Sequence, residues 1–436
     1  MCCELNAMMF NRAFIIGRIY QYKQFFLFLC CVLVFNSSQA YSILAHEAII
    51  DAEWTNHIKP LLFKKHPSST DDELQKAYAY AYGGSLMADM GYMPFGSPYF
   101  TNLLHYVRSG DFITTLIDEA KTLDEYAFAL GALSHYMADK YGHSLATNLS
   151  VAIDYPQLKE KFGDVVTYDD DHTSHSRIEF AFDVIQIAKG NYASVAFHNF
   201  IGFEIATPVL EKAFRKTYGH ELKSIFPNFE SSIATFRWGV RDLFPELARV
   251  AQQSDKAGIR TSRQTFTSAN FNKQMPGNAF GKQAGIKPSH TGFTARLLAS
   301  MVQRLPKIGP LKKLGFKYPG VTCEELFLKS MDSIMVNYDA GLSKLAAGQQ
   351  VTLANINYDT GNLSVLNEYA LADTTYAEWV VKLKRDNEAI ISPDVQQNIL
   401  AFYQKVEIPD LIVNEVKLGE KDVKEGISAA FSLAVK

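Results

Sequence analysis

From Tyr41 to about Ala251 the chain is written in helical periods, and this constrains the fold more than any other property. Apolar residues recur at three- and four-residue intervals over Ala45–Leu62, Glu125–Ala138 and Ile178–Ile187. Turn-forming clusters punctuate them: His66-Pro67-Ser68-Ser69, Gly91-Tyr92-Met93-Pro94 and Tyr168-Asp169-Asp170-Asp171. Ser69-Thr70-Asp71-Asp72-Glu73 ahead of Leu74 has the form of a helix start with a capping box. Few strand signals intervene, so the expectation is a mainly α, multi-helix protein. The pattern resumes late in the chain, over Thr294–Leu305, Glu324–Leu345, Tyr376–Glu388 and Asp394–Val406.

Between these two helical parts the composition changes. Residues 252–291 are polar and glycine-bearing, with Lys256, Arg260, Arg263, Lys273, Lys282 and Lys287 against Asp255. The stretch reads as a solvated linker or as a basic flap that meets phosphate or an anionic surface. No internal repeat or low-complexity tract is evident.

Composition removes several function classes. With 47% hydrophobic and 20% charged residues in 436, there is material for a large core and no disorder signature. A formal charge of -3 argues against electrostatic wrapping of nucleic acid as the main activity. Of the 5 cysteines, Cys2, Cys3, Cys30 and Cys31 lie near the start, which leaves Cys323. A zinc ribbon, a Cys-Cys redox pair and a disulfide scaffold are thereby excluded.

The N-terminus has the order of a targeting segment. Arg12, Arg18 and Lys23 precede an 11-residue apolar run, Phe25 to Phe35, and Asn36-Ser37-Ser38-Gln39-Ala40 follows. Basic region, apolar region and small-residue cleavage site together read as a secretory signal. A membrane span needs about 20 apolar residues, so the run is short for an anchor. A lipoprotein signal is a rival because of Cys30, although the bulky Leu29 precedes it. Cleavage after Ala40 makes Tyr41 the new N-terminus and leaves a chain expected to be exported, periplasmic or secreted.

The chemistry sits on the helices. His135 and Asp139 lie four apart on an apolar helix, which puts both side chains on one face, and His143 follows four residues on. His175 and Glu179 repeat the spacing. Imidazole with carboxylate suits zinc, and ligands on one helix face need no loop ordering. One such pair is commonly an ion pair or a core histidine; two, with an added histidine, indicate a metal site. His172 competes with His175 but has Ser176 where an acid would be needed. His57, His66, His198, His220 and His290 show no acid at this spacing and read as structural or surface residues. Three further segments add isolated candidates: His46, five residues after Tyr41, Asp89 at the end of an apolar stretch, and His105.

Taken together, Tyr41, His46, Asp89, His105, His135, Asp139, His143, His175 and Glu179 resemble, in order, the ligand set of the exported zinc-dependent phospholipase C family. The resemblance covers about Tyr41 to Val184. It implies an all-helical fold and three zinc ions. One ion would be held by Asp89, His105, His135 and Asp139, and a second by His143, His175 and Glu179. The Tyr41 amino and carbonyl groups with His46 would hold the third, with Asp139 as bridge. It further implies metal-assisted phosphodiester hydrolysis of phospholipid, with Asp89 as general base and peripheral contact with a membrane surface; no protein partner is inferred.

Departures keep the reaction open. Relatives carry tryptophan at the mature N-terminus, where this chain has Tyr41, but the ligating atoms there are backbone. They place the histidine six residues after the bridging acid, whereas His143 follows Asp139 by four, as in the catalytic domain of glycosylphosphatidylinositol-specific phospholipase D. Leu104-His105-Tyr106-Val107-Arg108 is similar to that branch, while Glu179 resembles the phospholipase C members rather than the single-strand nucleases. The expected organisation is a signal peptide over 1–40, a catalytic domain over 41–251, a linker or flap over 252–291 and a helical region over 292–436. Alternatives are D-type or nuclease-type cleavage on the same site, or a non-catalytic zinc-binding envelope protein.

Overall fold

The computed structural model describes residues 43–252, 258, 296, 315–386 and 391–403. The expected signal segment, Tyr41, the helix expected over Thr294–Leu305 apart from Arg296, and the basic stretch apart from Gln252 and Gly258 lie outside the described residues. So do the ends of the last two expected helices.

Helices make up most of the described residues. They are α1 (Ile43–Glu53), α2 (Lys59–Lys65), α3 (Asp71–Leu86), α4 (Pro98–Tyr106), α5 (Ser109–Glu119), α6 (Leu123–Gly142), α7 (Asn148–Asp154) and α8 (Pro156–Phe162). Then come α9 (His172–Lys189), α10 (Val195–Ile201), α11 (Thr207–Tyr218), α12 (Phe229–Trp238) and α13 (Phe244–Ala251). After the break follow α14 (Val321–Ala346), α15 (Ala370–Arg385) and α16 (Pro393–Tyr403). Among the described residues no strand forms beyond one isolated bridge, Ile356 to Leu363. None of the described helices is long and apolar enough to cross a membrane.

Local chemistry sets the boundaries. Thr70 starts α3: its hydroxyl accepts from Glu73 N–H at 3.2 Å, and Glu73 accepts in return from Thr70 N–H at 2.8 Å. Thr122 and Glu125 cap α6 in the same manner. Three helical joints are π turns, Trp54–Ile58, His143–Thr147 and Gly239–Leu243, so α1 runs on into α2, α6 into α7 and α12 into α13. The single helix expected over Ala45–Leu62 is therefore two helices joined by a π turn.

Helices α3 and α6 form the centre, and glycine is required where they meet. A Cβ on Gly84 would lie 1.9 Å from Phe128 O, and one on Gly131 would lie 2.1 Å from Ala81 O. Only bare backbone permits that approach. Around this pair one apolar core runs from Leu44 to Tyr403. Helix α14 contributes Cys323, Phe327, Met331, Ile334 and Tyr338, all fully buried, and Tyr338 donates to Leu130 O on α6 at 2.9 Å. Trp379 of α15 is likewise buried and donates through Nε1 to Tyr218 O at 2.8 Å. The late helices thus complete the core begun by the early ones.

Candidate metal centre

Asp139 is the hub. On α6 it faces His135 one turn earlier, with Oδ2 3.1 Å from His135 Nε2. Helix α4 brings His105, whose Nε2 lies 3.4 Å from Asp139 Oδ2 and 3.5 Å from Asp89 Oδ1. Asp89 itself sits in the 3-10 turn Met87–Tyr92 that ends α3. The first turn of α1, pinned by Leu44 N–H donating to Asp183 at 3.1 Å, places His46 Nε2 3.4 Å from Asp139 Oδ1. The His46 and His135 rings stack at 4.6 Å.

A second group adjoins the first. His143 opens the π turn after α6, and its Nε2 lies 3.2 Å from Glu179 Oε1 on α9. His175, one turn before Glu179, puts Nδ1 3.1 Å from the same oxygen. Three sets therefore have ligand atoms within 4.8 Å of one another: His46–Asp89–His135, His105–His135–Asp139 and His143–His175–Glu179. Every member is buried.

The donor chemistry fits a divalent ion of zinc type. Both oxygens of Asp89 and of Asp139, Nε2 of His105 and His135, Nδ1 of His175 and Oε1 of Glu179 are buried and make no hydrogen bond. Leaving so many buried polar atoms unsatisfied is costly unless something else fills the space they face. The far side of four of the rings is satisfied: His105 Nδ1–H donates to Thr101 O at 2.9 Å and His135 Nδ1–H to Ser85 O at 2.9 Å. His143 Nδ1–H donates to Tyr358 O at 3.1 Å, and His175 Nε2–H to Asn148 Oδ1 at 3.0 Å. A carbonyl oxygen only accepts, so each contact fixes the proton on the outer nitrogen and turns the other nitrogen's lone pair inward.

Sequence comparison points the same way. The model of the zinc dependent phospholipase C family matches residues 45–228. Over this segment the chain resembles the zinc-dependent phospholipase C family. No curated protein matches the chain, and no solved structure does. The family segment spans the histidines and acids of all three sets.

Electrostatics within the cluster follow from burial and close packing. Burial alone would raise the Asp139 carboxyl, but His135, His105 and His143 around it hold it well below the usual carboxylate range. Burial raises Asp89, against the pull of His105. Burial opposes charge on His105 too, yet Asp139 and Asp89 push its pKa up to about 10. Glu179 is raised by burial to about 8, and His175 is lowered by burial to about 4. A bound cation would replace these shared protons as the balancing charge.

Eight of the nine residues singled out in the sequence are described, and all eight converge; Tyr41 lies outside the described residues. His175 faces the centre, whereas His172 is exposed and packs on Tyr168. Of the remaining described histidines, His57, His198 and His220 find acids elsewhere. His198 lies between Glu47, at 3.1 Å, and Asp51, at 2.9 Å. His220 Nδ1 meets Asp386 at 3.0 Å. His57 has Glu53 four residues before it on Nδ1 and Asp339 on Nε2 at 3.1 Å. These three ligand atoms also group within 4.8 Å, but both ring nitrogens are already engaged, so the triad reads as an ion-paired link between α1 and α14.

Sequence reasoning missed Asn148, Tyr358 and Asp359. Asp359 is buried, accepts from Tyr106 OH at 2.9 Å and Tyr369 OH at 2.6 Å, and lies 3.6 Å from His143 Nδ1. The nearest signal was the turn-forming run Asn357-Tyr358-Asp359-Thr360-Gly361, which carries no helical period.

Proposed function

We propose that this protein is an exported phosphodiester hydrolase of phospholipase C type, acting on phospholipid at a multinuclear zinc site. The observation that carries this is the convergence of His46, Asp89, His105, His135, Asp139, His143, His175 and Glu179, in which buried ligand atoms of Asp89, His105, His135, Asp139, His175 and Glu179 make no hydrogen bond. Zinc, when bound, supplies Lewis acidity and charge neutralisation for phosphoryl transfer to water.

The chain's own groups do the rest. Asp139 is shared by His46, His105 and His135 and holds the first two sets in register. Asp89 is the general base: burial raises its proton affinity, and neither oxygen is committed to a hydrogen bond. His143, His175 and Glu179 form the second ion site.

Two measurements test this reading. The mature chain starting at Tyr41, loaded with zinc, is expected to convert phosphatidylcholine vesicles to diacylglycerol and phosphocholine, identified by mass spectrometry and abolished by chelator. Phosphatidic acid as product would indicate D-type cleavage, the reading favoured by His143 standing only four residues after Asp139. Absence of any zinc-dependent product from lipid, oligonucleotide or simple phosphodiester would leave a non-catalytic zinc protein. Separately, a residue added before Tyr41 turns its amine into an amide, which removes the metal donor there. The extended chain is expected to bind one zinc fewer by elemental analysis, and equal zinc in both forms would take Tyr41 off the ligand set.

A further inference from the structure

The family match ends at residue 228, yet both histidines of the second set lean on a loop more than a hundred residues later. The loop between α14 and α15 puts Tyr358 O 3.1 Å from His143 Nδ1, with Asp359 Oδ1 at 3.6 Å from the same nitrogen. Its next carbonyl, Asp359 O, accepts from Asn148 Nδ2 at 2.6 Å. With its amide nitrogen so committed, Asn148 presents Oδ1 to His175 Nε2–H at 3.0 Å. One loop therefore aims both rings, His143 directly and His175 through Asn148.

The loop is itself tightly fixed. Tyr358 N–H donates to His105 O at 3.1 Å, and Ser109 Oγ–H to Ile356 O at 2.7 Å. The two phenols that hold Asp359 Oδ2 come from α4 and from the residue just before α15. Burying a carboxylate is costly unless its partners use the charge. Here its other oxygen faces the nitrogen whose proton is handed to Tyr358 O. A negative charge on that side strengthens the donation and makes the opposite nitrogen a better ligand.

We propose that Asp359 and Asn148 are positioning residues of the second metal set, so that the region beyond the family segment builds part of the ion site. This rests on the metal-centre reading above. The mechanism is orientation: Asp359 fixes His143, the loop carbonyl fixes the Asn148 amide, and Asn148 fixes His175.

The test uses the full mature chain and zinc alone. Zinc stoichiometry and affinity, by chelator competition, are compared among the parent, Asp359→Asn and Asn148→Ala, with thermal unfolding followed with and without zinc. Asp359→Asn keeps the shape but turns a carboxylate into an amide beside His143. Both variants are expected to bind one zinc about 10–100-fold more weakly while the other ions stay at parental affinity. The zinc-induced rise in melting temperature should shrink accordingly, whereas a purely structural role would lower the melting point with and without zinc equally. If Asp359→Asn does not fold, Asn148→Ala decides alone, since it leaves the loop carboxylate intact. Parental affinity for every ion in the folded variants would overturn the proposal and leave the metal centre standing. A parent chain that binds no zinc would remove both.

Discussion

Asp139→Asn is expected to lose zinc and to lower phosphodiesterase kcat/KM by roughly 10³-fold, the scale on which transition-state charge stabilisation is lost at such sites. The reason is geometric. Both oxygens of Asp139 point at histidine nitrogens, Oδ1 toward His46 and Oδ2 toward His105 and His135. An asparagine would offer one acceptor and aim amide protons at the remaining partners. The effect is larger than for Asp89, which faces His105 alone among the close contacts. Zinc content and activity should be measured on protein shown to be folded by circular dichroism. Full zinc and full activity in that variant would take Asp139 out of the site.

Deletion of residues 294–436 is expected to abolish folding altogether. The cut removes Phe327, Met331, Ile334, Tyr338 and Trp379, each fully buried. Side chains of this kind stabilise by about 1.5–3 kcal/mol apiece, against a total stability of about 5–15 kcal/mol for a domain. It also bares the α6 and α11 surfaces that Tyr338 and Trp379 bond to. Insoluble product, or soluble protein without a cooperative melt, is the expected outcome. A truncated chain with a sharp transition and weaker vesicle binding would instead make the late helices an appended lipid-contact module.

Much of this was legible in the sequence, for identifiable reasons. Helical periods mark α6 and α9 because one face of each is buried, and spacing of four places His135 over Asp139 and His175 over Glu179 whatever the tertiary context. The Thr70 box was legible because capping is local. His46, Asp89 and His105 stood in the sequence as isolated residues; only the resemblance to a ligand order joined them, since contact across helices leaves no periodic trace. Asp359 and Asn148 escaped for the same reason, being a loop residue and a neutral amide whose partners are far away along the chain. His57 shows a narrower miss: its acid, Glu53, lies four residues before it, the reverse of the order in His135–Asp139 and His175–Glu179.

The π turn after α6 carries a consequence for register. In a straight α-helix the amide bonded to His143 O would be that of Thr147; here it is that of Asn148. One extra residue in the turn thus rotates everything downstream by a single step, bringing Asn148 round to meet both His175 and the Asp359 carbonyl. The His143–His175–Glu179 set is accordingly specified by a count as much as by a composition. A chain with every ligand intact but one residue fewer between Ser144 and Thr147 would keep its zinc-binding alphabet and lose the alignment that spells the site.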